Sequence, residues 1–191
     1  GVVAFRDIHD VDRMLAAARD KDGGNGRAVV IGGGLLGLEA ANGLHRQGMQ
    51  VSVVHLLDTL MEKQLDKPAA TLLKRTLEER GLNFLMGAQT EAILGKDEVE
   101  GIRFKNGEEL PADLVVMAVG IRPNIELAKR SGLHCERGVV VNDTLQTYDP
   151  RIYAVGECVQ HRSNTYGLVA PLFEQAKVCA NHLAQLGYAR Y

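Results

Sequence analysis

The feature that most constrains this chain is a run of three glycines directly after a short apolar segment. Ala28-Val29-Val30-Ile31 is wholly apolar and mostly β-branched, which is typical of a central parallel strand buried on both faces. Gly32-Gly33-Gly34-Leu35-Leu36-Gly37 follows at once and satisfies the pattern G-x-G-x-x-G. A helix is expected from there to Gly48, with small or apolar residues at helical spacing at Leu36, Ala40, Gly43 and Leu44. Val51-Ser52-Val53-Val54 then completes a predicted β-α-β unit over residues 27–55.

The three motif glycines have different physical roles in such a unit. Gly32 permits the tight turn out of the strand, Gly34 lets a pyrophosphate approach the backbone, and Gly37 lets the helix pack closely on the strand. The free N–H groups at the helix start, at Leu35 and Leu36, together with the positive end of the helix dipole, suit phosphate without a cationic side chain. The motif in this context predicts a site for NAD(P)H.

The sequence leaves the choice between NAD and NADP open. An acid about 20 residues after the motif binds the adenosine ribose and favours NAD, but that position holds His55, and the nearest acid is Asp58. A histidine can donate to either ribose or bind phosphate when protonated. A solvent-facing residue at a strand end is an equal alternative. Glu39 is either a cofactor contact or an ordinary helix former.

The region after this unit completes an α/β domain. Asp66 is expected to cap a helix with Pro68 in its first turn, ending at Gly81. Short β-like pieces follow at residues 83–86, 90–94, 98–104 and 108–110, with a hairpin turn at Asn106-Gly107 and a buried strand at residues 114–119. The predicted fold is a Rossmann-like domain with a βαβ core and an inserted antiparallel meander.

The two flanking stretches carry weaker patterns. Residues 1–26 are expected to hold a short helix capped by Asp7 or Asp10 and a glycine-rich linker at residues 21–26. Residues 120–191 predict a short helix near Leu127, strands at 138–142 and 151–157, and a closing helix at 173–186. These elements have too few partners to bury their faces alone. The expected divisions are therefore 1–26, 27–119 and 120–191.

Composition excludes several function classes. The net charge of -2 gives no electrostatic footprint for nucleic acid or anionic lipid, and no apolar run reaches the length of a membrane span. Cys135, Cys158 and Cys179 are widely spaced, so neither a redox dithiol nor a metal site is indicated. We expect three buried thiols in a cytoplasmic protein that binds no membrane and no nucleic acid.

Four segments, in order, resemble the FAD-dependent pyridine nucleotide-disulfide oxidoreductases, which include glutathione reductase, rubredoxin reductases and NADH oxidases. The segments are GGGLLGLEAA, LVVMAVGIRPN, TLQTYDPRIYAVGE and the helix after YGLVAP. The resemblance implies that Gly120 lies near the nicotinamide cofactor where the chain leaves the NAD(P) domain. It implies that Glu157, in the ending Gly156-Glu157, contacts the ribityl and phosphate region of FAD, and that residues 168–171 approach the flavin ring.

Within that family, residues 54–66 and Gly156-Glu157-Cys158 are most similar to the large subunit of assimilatory NAD(P)H nitrite reductases. The resemblance implies hydride transfer from NAD(P)H to FAD, then electron transfer to nitrite through iron–sulfur and sirohaem domains. The family's first FAD-binding half has no counterpart here, so residues 120–191 are expected to be the C-terminal half of a split FAD domain. The chain alone is then expected to be inactive, with no catalytic side chain of its own. The sequence is also compatible with a homo-oligomer. Alternatives are part of a rubredoxin or ferredoxin reductase or NADH oxidase, or a non-catalytic NAD(P)-binding module.

Overall fold

The computed structural model describes residues 1–19 and 25–191, which form two compact units, Gly1–Gly120 and Ile121–Tyr191. The linker predicted at residues 21–26 lies mostly outside the described residues. Each unit is described by itself.

The first unit contains the predicted β-α-β sequence and the elements around it. Its helices are α1 (Ile8–Arg19), α2 (Leu35–Arg46) and α3 (Lys67–Glu79). Its strands are β1 (Val2–Ala4), β2 (Arg27–Ile31), β3 (Gln50–His55), β4 (Asn83–Met86), β5 (Thr90–Leu94), β6 (Gly101–Phe104), β7 (Glu109–Pro111) and β8 (Leu114–Met117). Asp7 caps α1 by accepting the Asp10 N–H at 3.1 Å, and Asp66 caps α3 by accepting the Ala69 N–H at 3.0 Å.

The main sheet is parallel and is covered on both faces. Its strand order is β1-β8-β2-β3-β4, and every neighbouring pair runs parallel. One face packs on the helices through alternate strand residues that include Val30, Val53 and Val116. The opposite face packs on β6 and neighbouring residues through Val29, Val54 and Val115. Burial on both faces explains why these strands are wholly apolar rather than alternating. The Rossmann-type α/β fold predicted from the sequence is confirmed.

The antiparallel meander β5-β6-β7 is also confirmed. Its β6–β7 connection turns at Asn106-Gly107: the Gly107 N–H donates to the Phe104 carbonyl at 2.9 Å, and Gly107 has a positive φ of 87°. The meander contributes Ile102 and Phe104 to the core beneath the sheet.

Two local features of this unit differ from expectation. The sequence analysis did not identify strand β1, a three-residue edge strand that pairs only with β8 within the described residues. The expected apolar stripe of α2 is correct at Ala40 and Leu44, but Leu36 is 41% exposed and Gly43 is exposed. Leu36 lies in the first turn, at the open end of the helix, and Leu38 and Ala41 complete the buried face instead.

The second unit contains α4 (Glu126–Arg130), β9 (Val139–Val141), β10 (Val159–His161), β11 (Asn164–Thr165) and α5 (Val169–Leu183). The strand predicted at residues 151–157 is wrong, because only Tyr153 makes an isolated bridge, to Gln146. The chain turns at Gly156, whose φ is 102°, and the strand that pairs with β9 begins at Val159. Its small core comprises Val141, Leu145, Val159, Val178 and Cys179.

The cysteines are less uniformly buried than expected. Cys179 is buried, whereas Cys135 and Cys158 are partly exposed, and within the described residues all three are free thiols. Burial raises the pKa of the Cys158 and Cys179 thiols above the ordinary value of 9.0, so their surroundings disfavour the reactive thiolate. Among the described helices, none is both long enough and apolar enough to cross a membrane.

Candidate functional site

The glycine-rich turn lies at the carboxyl edge of the parallel sheet, between the ends of β2 and β8. Gly32 has a φ of 123°, and a Cβ there would lie 2.2 Å from the carbonyl oxygen of Ala118, just beyond β8. Only glycine tolerates both this backbone conformation and this approach. Because β3 and β8 flank β2 on opposite sides, the turn lies at the point where open α/β sheets bind their ligands.

Gly37 brings α2 into close contact with this turn. A Cβ at Gly37 would lie 2.0 Å from the carbonyl oxygen of Gly32, so the helix could not approach the strand with any larger residue. This contact is the close helix–strand packing that the third motif glycine was expected to permit. It fixes where the first turn of α2 begins relative to β2.

Gly34, in contrast, has open space around it. Among the described residues, no atom lies within 4 Å of a Cβ built there, and Gly34 is the extended N-cap of α2. The helical hydrogen bonds begin with the Leu38 N–H, which donates to the Gly34 carbonyl at 3.0 Å. The N–H groups of Leu35, Leu36 and Gly37 therefore precede the ladder and have no intrahelical acceptor. Leu35 and Leu36 are 42% and 41% exposed.

The electrostatics of this helix end favour an anion. The first turn of α2, all of it described, contains no acidic residue, and the last turn contains His45 and Arg46. Its positive dipole end is therefore not neutralised by a carboxylate in that turn. Glu39 is exposed in the second turn. An anionic group can bind the backbone at Gly34 without displacing a side chain.

His55 is not a solvent-facing residue, which corrects one of the two alternatives considered for it. The residue is 8% exposed, and its Nδ1 accepts the Gly33 N–H at 3.0 Å. Its Nε2 is also buried and lies 3.4 Å from Oε2 of Glu62. Both ring nitrogens are thus directed into the protein, and the ring holds the glycine-rich turn through its hydrogen bond with Gly33.

The exposed groups after β3 lie further along the loop. Asp58 and Lys67 form an ion pair at 3.1 Å, with side chains 75% and 76% exposed. The hydrogen bond from Lys67, followed by its positive charge, lowers the pKa of the Asp58 carboxyl below 3.8. Glu62, Lys63 and Asp66 are also exposed in this stretch, so it offers charges of both signs to solvent and does not discriminate NAD from NADP.

The remaining predicted site residues fall in two places. Gly120 follows β8 in the first unit, with a φ of 96° and no described atom within 4 Å of an added Cβ. Gly156 and Glu157 lie in the second unit, where Gly156 has a φ of 102°. The Gly156 N–H donates to Oε1 of Gln175 at 2.9 Å, and Gln175 is completely buried. A side chain of α5 therefore fixes the turn that presents Glu157.

Sequence reasoning missed the side chains that hold these turns. Gly33 fills a variable position of the motif, and Gln175 sits on a helix expected only to close the unit. Glu62, which faces His55, is a loop residue with no local pattern. The one signal in the sequence was the histidine at the end of β3, where an acid was expected. It indicated that His55 has an unusual role, but it did not identify Gly33 or Glu62 as its contacts.

Comparisons with known proteins give one consistent result. The family model described as pyridine nucleotide-disulphide oxidoreductase matches residues 1–181. A nitrite reductase [NAD(P)H] of Bacillus subtilis (strain 168) is 60% identical over 96% of this chain and 22% of that protein. The assimilatory nitrate reductase electron transfer subunit of the same organism is 49% identical over 100% of this chain and 24% of that protein. This chain thus spans about a quarter or less of these two curated relatives.

A solved structure shows the same fold. The NAD-dependent persulfide reductase from A. fulgidus superposes with a TM-score of 0.91 and 31% identity, covering 100% of this chain and 36% of the other. The likeness extends over both units.

Proposed function

Because this chain belongs to the pyridine nucleotide-disulphide oxidoreductase family, we propose that it is the NAD(P)H-binding part of a flavoprotein reductase. Membership confirms the family expected from the sequence, whose members are FAD-dependent NAD(P)H oxidoreductases. The observation that carries the proposal is the open backbone at Gly34, at an N-terminus of α2 without a first-turn acid. The support is that the space beside Gly34, where the pyrophosphate would lie, holds no described atom within 4 Å of an added Cβ.

The chain's own residues would bind and orient the nucleotide rather than react with it. The N–H groups of Leu35, Leu36 and Gly37 would hold the pyrophosphate, and Gly120 would leave room for the nicotinamide end. Glu39 is a proposed cofactor contact on the exposed side of α2. Because these residues bind and orient the nucleotide, the proposed function requires no nucleophilic side chain from this chain.

The second unit would complete an FAD site together with a separate FAD-binding half. Gly156 and Glu157 would contact the ribityl and phosphate region, in a turn held by Gln175. An FAD held there would supply the hydride acceptor for NAD(P)H and the route for electrons to a downstream acceptor. Residues 168–171, at the start of α5, would approach the flavin ring, and Leu168 and Val169 there are each more than half exposed.

Nitrite is the acceptor that we propose for the complete enzyme, reached through iron–sulfur and sirohaem domains outside this chain. The support is the identity of 60% to a protein named nitrite reductase [NAD(P)H]. A rubredoxin or ferredoxin reductase, or an NADH oxidase, is the alternative within the family. We propose that the protein is cytoplasmic and binds neither nucleic acid nor a membrane. A homo-oligomer is compatible with this function.

A non-catalytic NAD(P)-binding module is the rival of another class. It would need the turn at Gly34 but would have no use for a fixed turn at Gly156 and Glu157. Reconstitution separates the two: the chain is combined with the FAD-binding N-terminal segment of a relative, and NADH or NADPH is added without oxygen. We expect a yellow complex whose flavin absorbance bleaches, and no bleaching with Gly34→Val. A colourless complex, or flavin that nucleotide does not reduce, would support the module.

A further inference from the structure

The position that would carry a ribose-binding acid holds a histidine that faces inward. His55 is the last residue of β3, and its Nδ1 lies 3.0 Å from the Gly33 nitrogen. Since the backbone N–H can only donate, Nδ1 must carry the lone pair, and the neutral ring then carries its proton on Nε2. That Nε2–H is buried and faces Glu62 across 3.4 Å.

The ring and the turn also fit each other sterically. A Cβ at Gly33 would lie 2.8 Å from Cγ of His55 and 2.7 Å from Cδ2 of Leu60. Gly33 must therefore be glycine because the imidazole occupies the space beside it. On its other side, the Gly33 carbonyl accepts the Met61 N–H at 3.0 Å. Both backbone polar groups of Gly33, which belong to successive peptides, are thus held by β3 and the loop that follows.

We propose that His55 is a positioning residue for the glycine-rich turn and not a contact of the adenosine ribose. By accepting the Gly33 N–H, Nδ1 fixes the Gly32–Gly33 peptide, one residue before Gly34, so the pyrophosphate meets a preformed turn. The buried Nε2 makes no hydrogen bond among the described residues, but the carboxylate of Glu62 at 3.4 Å attracts the proton that this tautomer places there. The inference rests on the proposed function, because the turn it holds is the proposed pyrophosphate site. It replaces the direct ribose contact considered from the sequence.

Asparagine and glutamine distinguish this role from a space-filling one. The Oδ1 atom of asparagine lies close to the place of Nδ1 and can accept the Gly33 N–H, whereas the amide of glutamine reaches the place of Nε2. Leucine removes both functions. If bulk alone mattered, glutamine, which is nearer to histidine in size, would be the milder substitution. A role through Nδ1 predicts the opposite order.

The test is calorimetric titration of the 191-residue chain with NADH and NADPH, alongside urea unfolding of each variant. We expect His55→Asn to bind within about threefold of the unaltered chain, and His55→Gln and His55→Leu to bind about tenfold more weakly or worse, because the Gly33 N–H loses its acceptor. His45→Leu, at the far end of α2, is the matched control and should bind normally. If His55→Leu does not fold, the asparagine and glutamine variants still decide the question.

Two results separate the failure of this inference from failure of the proposed function. If the unaltered chain binds nucleotide and Gly34→Val does not, but asparagine and glutamine at position 55 bind alike or in the reverse order, His55 has no positioning role. If the unaltered chain binds neither nucleotide, the proposed function is contradicted and this inference with it.

Discussion

The carbonyl oxygen of Gly32 occupies the space that a side chain on Gly37 would need, since an added Cβ would lie 2.0 Å from it. Gly32 is the first residue of the turn after β2, and Gly37 lies in the first turn of α2, the helix that follows. Gly43, two turns later on the same helix, has no described atom within 4 Å of an added Cβ. The helix therefore contains one glycine required by packing and one that is not.

This contrast predicts opposite effects of the same substitution. Gly37→Ala should lower the free energy of unfolding by about 1–3 kcal/mol, because the added methyl group forces α2 away from the turn. Gly43→Ala should raise it by up to about 1 kcal/mol, because alanine is the better helix former and nothing obstructs it. Urea unfolding of the two variants measures both changes. Equal effects would show that the close contact of Gly37 with Gly32 does not constrain the fold.

Gln175 offers a second test, in the other unit. Its Oε1 accepts the Gly156 N–H at 2.9 Å, and the residue is completely buried. Gln175→Leu should destabilise the unit by about 1–3 kcal/mol, because it leaves this N–H without an acceptor. The neighbouring exposed residue supplies the control, and Glu174→Gln should stay within about 0.5 kcal/mol. A leucine variant as stable as the control would mean that Gln175 does not hold the turn.

Asp143 should make the second unit sensitive to acid. Hydrogen bonds from Arg162, at 2.7 and 3.1 Å, and then from His161, at 2.8 Å, lower the pKa of the carboxyl from 3.8 to about 2. Because the folded pKa lies below the unfolded one, the unfolded chain takes up the proton first as the pH falls. The stabilisation is therefore complete above the unfolded pKa of 3.8 and is lost as the pH falls to about 2.

The measurement is the midpoint of thermal unfolding between pH 6 and pH 2 for the unaltered chain and Asp143→Asn. We expect the unaltered chain to be more stable above pH 4, and the difference to shrink towards pH 2. Asp149, whose pKa is also lowered to about 2 by Arg151, titrates in both proteins and cancels in the comparison. A difference that does not change with pH would contradict the role assigned to Asp143.

The sequence correctly predicted the elements whose local residue pattern matches the contacts that they make in the fold. The apolar run of β2, the motif glycines and the Asp66 cap each carry their own signal, and all three were found where expected. Strand β1 was missed because three residues at a sheet edge are too few to show a period. Residues 151–157 were expected to form a strand from their apolar pattern, but only Tyr153 makes a bridge, and the positive φ of Gly156 prevents an extended run through that position.

The candidate site shows the same division. The motif predicted which backbone groups face outward at Gly34, but not which side chains hold them in place. His55 could not be assigned from its position, because the direction of its ring depends on the Gly33 N–H and on Glu62, seven residues later. The direction of the His55 ring is therefore set by tertiary contacts in the folded turn, which the local sequence does not show.

The most direct test of the account is calorimetric titration of the chain with NADH and, separately, with NADPH, repeated with Gly34→Val. A Cβ at position 34 meets no described atom within 4 Å, so the variant should fold and lose no more than about 1 kcal/mol of stability, because valine is a poorer helix N-cap than glycine. We predict saturable binding of at least one nucleotide and its loss in Gly34→Val, because the new side chain covers the backbone where the pyrophosphate binds. Absence of binding to the unaltered chain, or undiminished binding to the variant, would contradict the assignment of this turn as the nucleotide site.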